Sequence, residues 1–208
     1  MNGVSRTLAV MTVLLVPAVG AAQQSRTQPF NYTYVELSYD ESDFDLGDDG
    51  DGDGDGLTLS GSFEINEDWH AYAAFANSDV DLGFDLGFDL GNFGIDVDTW
   101  TIGAGYRYPL RDDVDIYGRV LYISTDAEAS RGPFRADDDG LGLQARLRFR
   151  VSDEFEVEGG IQHVDVANSD TSLQASARYH FNDNFSAGIA LTFAGDTDSF
   201  GINARYSF

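Results

Sequence analysis

The densest run of metal-binding residue types in this chain is Gly47-Asp-Asp-Gly-Asp-Gly-Asp-Gly-Asp-Gly56. Carboxylates at alternate positions on a glycine-rich segment supply the hard oxygen ligands that Ca²⁺ prefers. A calcium loop of the EF-hand kind also needs a glutamate at its last position, about eleven residues after the first aspartate. Counting from Asp49 reaches Ser60, and counting from Asp51 reaches Ser62. Counting from Asp53 reaches Glu64, but that frame sets Leu57 and Thr58 where a ligand and a glycine belong. The run is not an EF-hand. It reads as a solvated acidic loop, with weak divalent-cation binding at Asp48, Asp49, Asp51, Asp53 and Asp55 as the alternative, and no firm metal or cofactor site is expected. For nucleophilic catalysis the chain offers three histidines, His70, His163 and His180. His163 and Asp165, two apart and so on one face of a strand, form the only pairing worth naming beside a loop serine. There is no Gly-x-Ser-x-Gly elbow, phosphate loop or cysteine, and the chain reads as a non-enzyme.

Composition narrows the classes further. The chain has 208 residues, 36 of them acidic and 12 basic, for a formal net charge of −24. Every basic residue is arginine. Such a chain repels phosphate backbones, so nucleic acid is not an expected partner. Disulfide scaffolds and thiolate metal sites are excluded by the absence of cysteine. Hydrophobic residues at 42% and aromatics at 13% argue against disorder. No run approaches the roughly 18 apolar residues of a spanning helix.

The N-terminus reads as an address. Residues 1–22 have the form of a secretory signal peptide: Arg6, an apolar stretch from Leu8 to Val16, Pro17, and small residues Gly20-Ala21-Ala22 for cleavage before Gln23. Residues 23–29 are then a short polar periplasmic lead-in, and 30–208 form the folded domain.

From Phe30 onward the hydrophobic period is two. Leu57, Leu59, Phe63 and Ile65 share one face of their segment, opposite Thr58, Ser60, Ser62 and Glu64. Trp100, Ile102, Ala104, Tyr106 and Tyr108 do the same, as do Leu141, Leu143, Ala145, Leu147 and Phe149 against Gln144, Arg146, Arg148 and Arg150. Ten segments of this kind, each roughly nine or ten residues long and so within the reach of a membrane-spanning strand, are expected. Aromatics recur near their ends, with Trp69, Phe155, Phe181, Phe185 and Phe208 at one rim. Tyr39, Trp100, Tyr122, Phe193 and Phe200 fall at the other. Short turns at Asn66–Asp68, Pro109–Asp113, Val151–Glu154 and Asn182–Asn184 alternate with connections that include three long ones, Asp40–Gly56, Ser78–Asp98 and Ser124–Gly140. The pattern predicts an all-β fold, a transmembrane antiparallel up-and-down barrel of ten strands, with eight as the alternative.

The last strand, Phe200-Gly-Ile-Asn-Ala-Arg-Tyr-Ser-Phe208, ends on an aromatic with Ile202, Ala204 and Tyr206 at alternating positions before it. It resembles the C-terminal signature of Gram-negative outer-membrane barrels, which the barrel-assembly machinery reads. With the Gly-Ser-Phe strand and Trp100-Thr-Ile-Gly-Ala-Gly-Tyr106, the mature chain resembles the outer membrane protein β-barrel domain family. That family is mostly without assigned function and is similar in architecture to OmpA/OmpX-type barrels, although those have eight strands. The resemblance implies the bacterial outer membrane as location, with its lipid and lipopolysaccharide as surroundings.

In such a barrel the polar faces point inward. Glu36, Glu64, Arg107, Asp115, Arg119, Arg146, Arg148, Glu156, Glu158, Arg178 and Arg205 are the expected lumen charge network, alongside His70, Tyr72 and Tyr117. Opposite charges in a narrow interior should pair. The acidic connections would form a negative outer surface. Within the second, the tetrads Asp81-Leu-Gly-Phe, Asp85-Leu-Gly-Phe and Asp89-Leu-Gly alternate Leu82, Phe84, Leu86, Phe88 and Leu90 with Asp and Gly. This is either an apolar ridge for surface partners or low-complexity sequence in a tolerant loop. The expected role is non-catalytic, in envelope integrity or in surface interaction and adhesion, with a narrow pore for ions or small solutes as the alternative.

Overall fold

The computed structural model describes residues 30–45, 50–84, 93–130 and 133–208. The expected signal peptide and lead-in lie outside them. The strands are β1 (Tyr34–Asp45), β2 (Gly50–Glu64), β3 (Trp69–Phe84), β4 (Phe93–Arg111), β5 (Val114–Ala129), β6 (Arg135–Arg150), β7 (Phe155–Val166), β8 (Asn168–His180), β9 (Phe185–Ala194) and β10 (Thr197–Ser207). Each pairs antiparallel with its sequence neighbours, and β1 pairs with β10, so the sheet closes into a barrel of ten strands. The alternation read from the sequence is the alternation of this wall.

The faces are inverted relative to a water-soluble protein. Large apolar side chains point out along every strand: Leu59, Ile102, Val120, Leu143, Ile161, Leu173, Ile189 and Ile202 are all exposed. Buried positions are instead largely polar or charged, among them His70, Arg107, Asp115, Arg119, Arg148, Glu156 and Arg178, with Val114, Leu121 and Ile123 of β5 as aliphatic exceptions. Aromatics bound the apolar band. Trp69 packs edge-on to Tyr106, and Phe185 and Phe208 flank Tyr206 at the turn end. Phe75 and Trp100 meet at the other end, with ring centroids 4.5 Å apart.

Three of the short turns are built alike, from an Asn/Ser-acid-x-aromatic repeat: Asn66 to Trp69, Ser152 to Phe155 and Asn182 to Phe185. Asn66 Oδ1 accepts from the amides of Asp68 and Trp69, both at 3.0 Å. Ser152 Oγ accepts from Glu154 and Phe155. Asn182 Oδ1 accepts from Asn184 and Phe185. A short polar side chain thus satisfies the amides that the turn would otherwise strand. The backbone amide just before each Asn or Ser also closes onto the aromatic's carbonyl in all three cases, Ile65 to Trp69, Val151 to Phe155 and Phe181 to Phe185.

The other end departs from expectation. Asp40–Gly56, Ser78–Asp98 and Ser124–Gly140 were expected as loops. Instead β1 runs on to Asp45, β2 starts at Gly50, β3 reaches Phe84, β4 starts at Phe93, β5 reaches Ala129 and β6 starts at Arg135. The reason lies in the period. Asp and Gly alternate just as apolar and polar residues do below, so extending the ladder turns Asp53 and Asp55 outward and leaves the glycines inside. Backbone hydrogen bonds are gained and no carboxylate is buried. Carboxylate positions then sit side by side across the wall, as Glu41 opposite Asp55, Asp55 opposite Asp79, Asp79 opposite Asp96 and Asp96 opposite Glu128. Direct cross-strand like charges are unfavourable, which restricts them to water-exposed height. Strand β6 leaves β7 after Leu141, so 135–140 pair with β5 only. Asp137, Asp138 and Asp139 lie on that free edge, where charge discourages stray strand pairing.

A lipid-facing band predicts its own test. Ile189 lies midway between Phe185 and Phe193 on the outward face of β9. Ile189→Arg should cost about 2–4 kcal/mol in the folded barrel, read as a lowered urea midpoint in lipid vesicles. An unchanged midpoint would mean that this face does not meet hydrocarbon.

Candidate functional site in the barrel lumen

The inward positions of ten tilted strands converge, so residues distant in sequence meet in the lumen. All the expected members of the charge network face it, and the structure sorts them into linked groups. On the closing seam, Glu36 of β1 accepts from Arg178 Nη2 of β8 at 2.6 Å and from Arg205 Nε of β10 at 2.8 Å. The Arg205 guanidinium lies 3.7 Å from the centre of the Tyr34 ring. Across β6 and β7, Arg148 donates to Glu156 Oε1 from Nη2 at 2.7 Å and from Nε at 3.1 Å. Arg146 Nη1 meets Glu158 at 2.5 Å, and Tyr117 donates to the same carboxylate at 2.9 Å. Arg146 also contacts the Gln174 side chain. A third group centres on Arg107, with Asp115 at 3.7 Å and Glu64 at 3.8 Å.

Arg119 is different. It is buried, yet among the described residues it pairs with no carboxylate. Its Nε donates to His70 Nε2 at 3.0 Å, its Nη1 to Gln144 and its Nη2 to the Tyr34 hydroxyl, both at 3.3 Å. The rings of Tyr72 and Tyr117 face its guanidinium at 4.3 and 4.9 Å. Because arginine Nε–H only donates, His70 Nε2 is the acceptor, and the imidazole is the neutral Nδ1–H tautomer. Gly105 makes room for this ring: a Cβ there would lie 2.3 Å from His70 Cε1.

The sequence reading missed the plug. It ran the strand period from Phe30 onward, but β1 begins at Tyr34. Residues 30–33 fold into the lumen, where Tyr32 and Phe30 are the two most buried apolar side chains, at 0% and 1% exposure. Tyr32 packs against His70 and Tyr117 and donates to Asp115 at 3.4 Å. The guanidinium of Arg148 lies 4.9 Å from both the Phe30 and Tyr32 ring centres. Phe30 O accepts from Arg107 Nη1, and Asn31 Nδ2 donates to the carbonyl of Phe208. The available signal was two aromatics with the period of a strand, just ahead of it and next to a lumen rich in arginine.

Other expected features fall elsewhere. His163 and Asp165 face outward and bond to separate residues of β8, His163 Nδ1 to Thr171 Oγ1 and Asp165 Oδ1 to Ser169 Oγ, each at 2.8 Å. They do not bond to each other. Asp48 and Asp49 lie outside the described residues, and Asp51 is placed only as a backbone position of β2. Asp53 and Asp55 stand on an extended strand, where same-face neighbours are about 7 Å apart and do not converge on one ion. Among the described residues no group of three or more potential ligands is arranged for a metal ion. Leu82 and Phe84 are strand positions of β3 opposite Gly52 and Gly50. Leu86, Phe88 and Leu90 lie outside the described residues. Ile202, Ala204, Tyr206 and Phe208 are all exposed on the outer face.

A closed antiparallel barrel with an apolar outside and a charged inside is an outer-membrane architecture, and the family model for "Outer membrane protein beta-barrel domain" matches residues 11–193. The chain belongs to that family. No curated protein matches it. Among solved structures, the beta domain of the Bordetella autotransporter BrkA is 12% identical with a TM-score of 0.50, covering 85% of this chain and 99% of that one. The transport unit of the Escherichia coli autotransporter AIDA-I is 7% identical with a TM-score of 0.50, covering 89% and 93%. Ail, the attachment invasion locus protein of Yersinia pestis, is 14% identical with a TM-score of 0.46, covering 85% and 97%. At these identities the likeness to the two autotransporter domains shows the fold alone.

The paired lumen makes a graded prediction. Glu36→Gln strips Arg178 and Arg205 of their shared carboxylate and should cost about 3–5 kcal/mol. Glu128→Gln, which breaks an exposed pair with Arg135, should cost at most about 1 kcal/mol. Equal urea midpoints for the two variants would contradict the network's structural role.

Proposed function

We propose that this family member is a closed outer-membrane barrel with a non-catalytic role at the cell envelope, stiffening the membrane and presenting an acidic wall of strands to surface partners. One observation carries the reading: paired arginines and carboxylates, with Phe30 and Tyr32 buried among them, occupy the lumen. Barrels of about eight strands are filled by side chains, whereas those of sixteen or more leave an aqueous channel. Ten strands lie near the filled end.

In this reading residues 1–22 direct export and 23–29 remain on the periplasmic side. The short turns then face the periplasm, and the taller wall of β1 to β6 faces outward. The apolar band contacts lipid and the acyl chains of lipopolysaccharide. The outward Ile202, Ala204, Tyr206 and Phe208 form the C-terminal signal for the barrel-assembly machinery. The acidic wall, with carboxylates on neighbouring strands, suits adhesion through electrostatic contact and gives nucleic acid nothing to bind.

Conductance across a planar bilayer tests the closed lumen. The purified protein should add no discrete current steps, and Phe30→Gly with Tyr32→Gly should raise the baseline leak. Regular steps from the unaltered protein would favour the narrow-pore reading instead.

A further inference from the structure

At the turn end of the lumen lies a cavity of about 380 Å³, within the size range of small-molecule sites. Its charges are unevenly paired. Arg148 and Arg205 line it, but both are committed, to Glu156 and Glu36. Arg150 also lines it and pairs with no carboxylate among the described residues; its guanidinium only faces the Phe30 ring, at 5.6 Å. The Nε of Arg150 is buried without a hydrogen-bond partner, whereas His180 Nε2 on the same cavity already faces Glu156 Oε2, at 3.6 Å. Buried donors are normally satisfied, so Arg150 marks a place where an acceptor group is wanted. The mouth of the cavity carries the opposite sign. Asp153, Glu154 and Asp183 belong to the two flanking turns, and among the described residues none of them is in an ion pair.

We propose that this cavity binds a small zwitterion, an amino acid or short peptide. Its carboxylate docks on Arg150, beside His180, and its ammonium faces the turn carboxylates. A guanidinium fork is matched to a carboxylate. A purely anionic ligand would meet the acidic mouth, and a purely cationic one would meet the arginines, so the lining favours a ligand with both charges. The site goes beyond the closed-barrel reading: it needs the cavity and its lining charges, Asn31 beside Phe30 among its walls, and not the absence of conductance.

Calorimetric titration of the folded barrel in nonionic detergent tests this, with glycylglycine as the probe. N-acetylglycine serves as the anion-only arm and glycinamide as the cation-only arm. Glycylglycine should give saturable heat and bind about tenfold or more tighter than either single-charge compound, the gain expected of one charge-assisted contact. Arg150→Gln should weaken it about tenfold, and Arg150→Lys should recover part of the loss. Should Arg150→Gln fail to fold, judged by heat-modifiable gel mobility, the turn variant Asp153→Asn with Asp183→Asn carries the test and should also weaken binding. Absence of saturable heat, equal binding of N-acetylglycine, or unchanged binding in the folded variants would overturn the proposal.

Discussion

Inside a bilayer no water is available to the backbone, so every N–H and C=O must find its partner within the protein. For a chain of alternating strands this leaves one solution, a sheet closed on itself. Closure here is made by β1 against β10, from Tyr34 opposite Ser207 up to Phe44 opposite Thr197. Once the sheet is closed, each strand has one face toward lipid and one toward a narrow interior. The rest of the molecule follows from that division. Apolar residues go outside, charged residues go inside or above the membrane, and the inside must neutralise itself.

The interior does so with arginine alone. A guanidinium can hold a carboxylate through two donors while presenting its flat face to an aromatic ring. Arg148 does both, bonding Glu156 twice while facing Phe30 and Tyr32. Lysine offers a single hydrated ammonium and would leave those rings uncovered. Arg119 carries the logic further, using Gln144, His70 and tyrosine hydroxyl and π-faces where no acid is near. The absence of lysine from the whole chain is therefore matched by a use for arginine at each lumen position. Gln144, Gln162 and Gln174 complete the polar lining between the charged groups.

Much of this was legible in strand periodicity. The phase of Leu141 to Arg150 was enough to send Arg146 and Arg148 inward, and the aromatic ends of each segment placed the two girdles. The turn motif at Asn66, Ser152 and Asn182 was legible as a repeat, and its mechanism became visible once the side-chain oxygens were seen to cap two amides each. The pairings of Glu36 were not legible, because its partners lie 142 and 169 positions away: Arg205 stands directly opposite it on β10 and Arg178 lies on β8, and the local period does not give the register in which the sheet closes. The plug was missed because Phe30 and Tyr32 have the spacing of a strand but lack a neighbouring strand to pair with. The acidic run was misread as a loop because glycine and aspartate usually signal turns. In this chain their strict alternation outweighed their individual preferences, since the ladder below was already in register.

That alternation has a consequence for how such a chain changes over time. A strand built from Gly-Asp pairs keeps its faces when whole pairs are added or removed, because the side-chain period is two. Any even-numbered insertion or deletion between Gly50 and Gly56 leaves Leu57, Leu59 and Phe63 pointing at lipid, and an odd one inside the band would reverse them. The upper wall is therefore a part of the molecule whose height can drift by duplication of short coding repeats while the membrane-embedded register stays intact. A surface exposed to a changing environment can be lengthened or trimmed without redesigning the barrel beneath it.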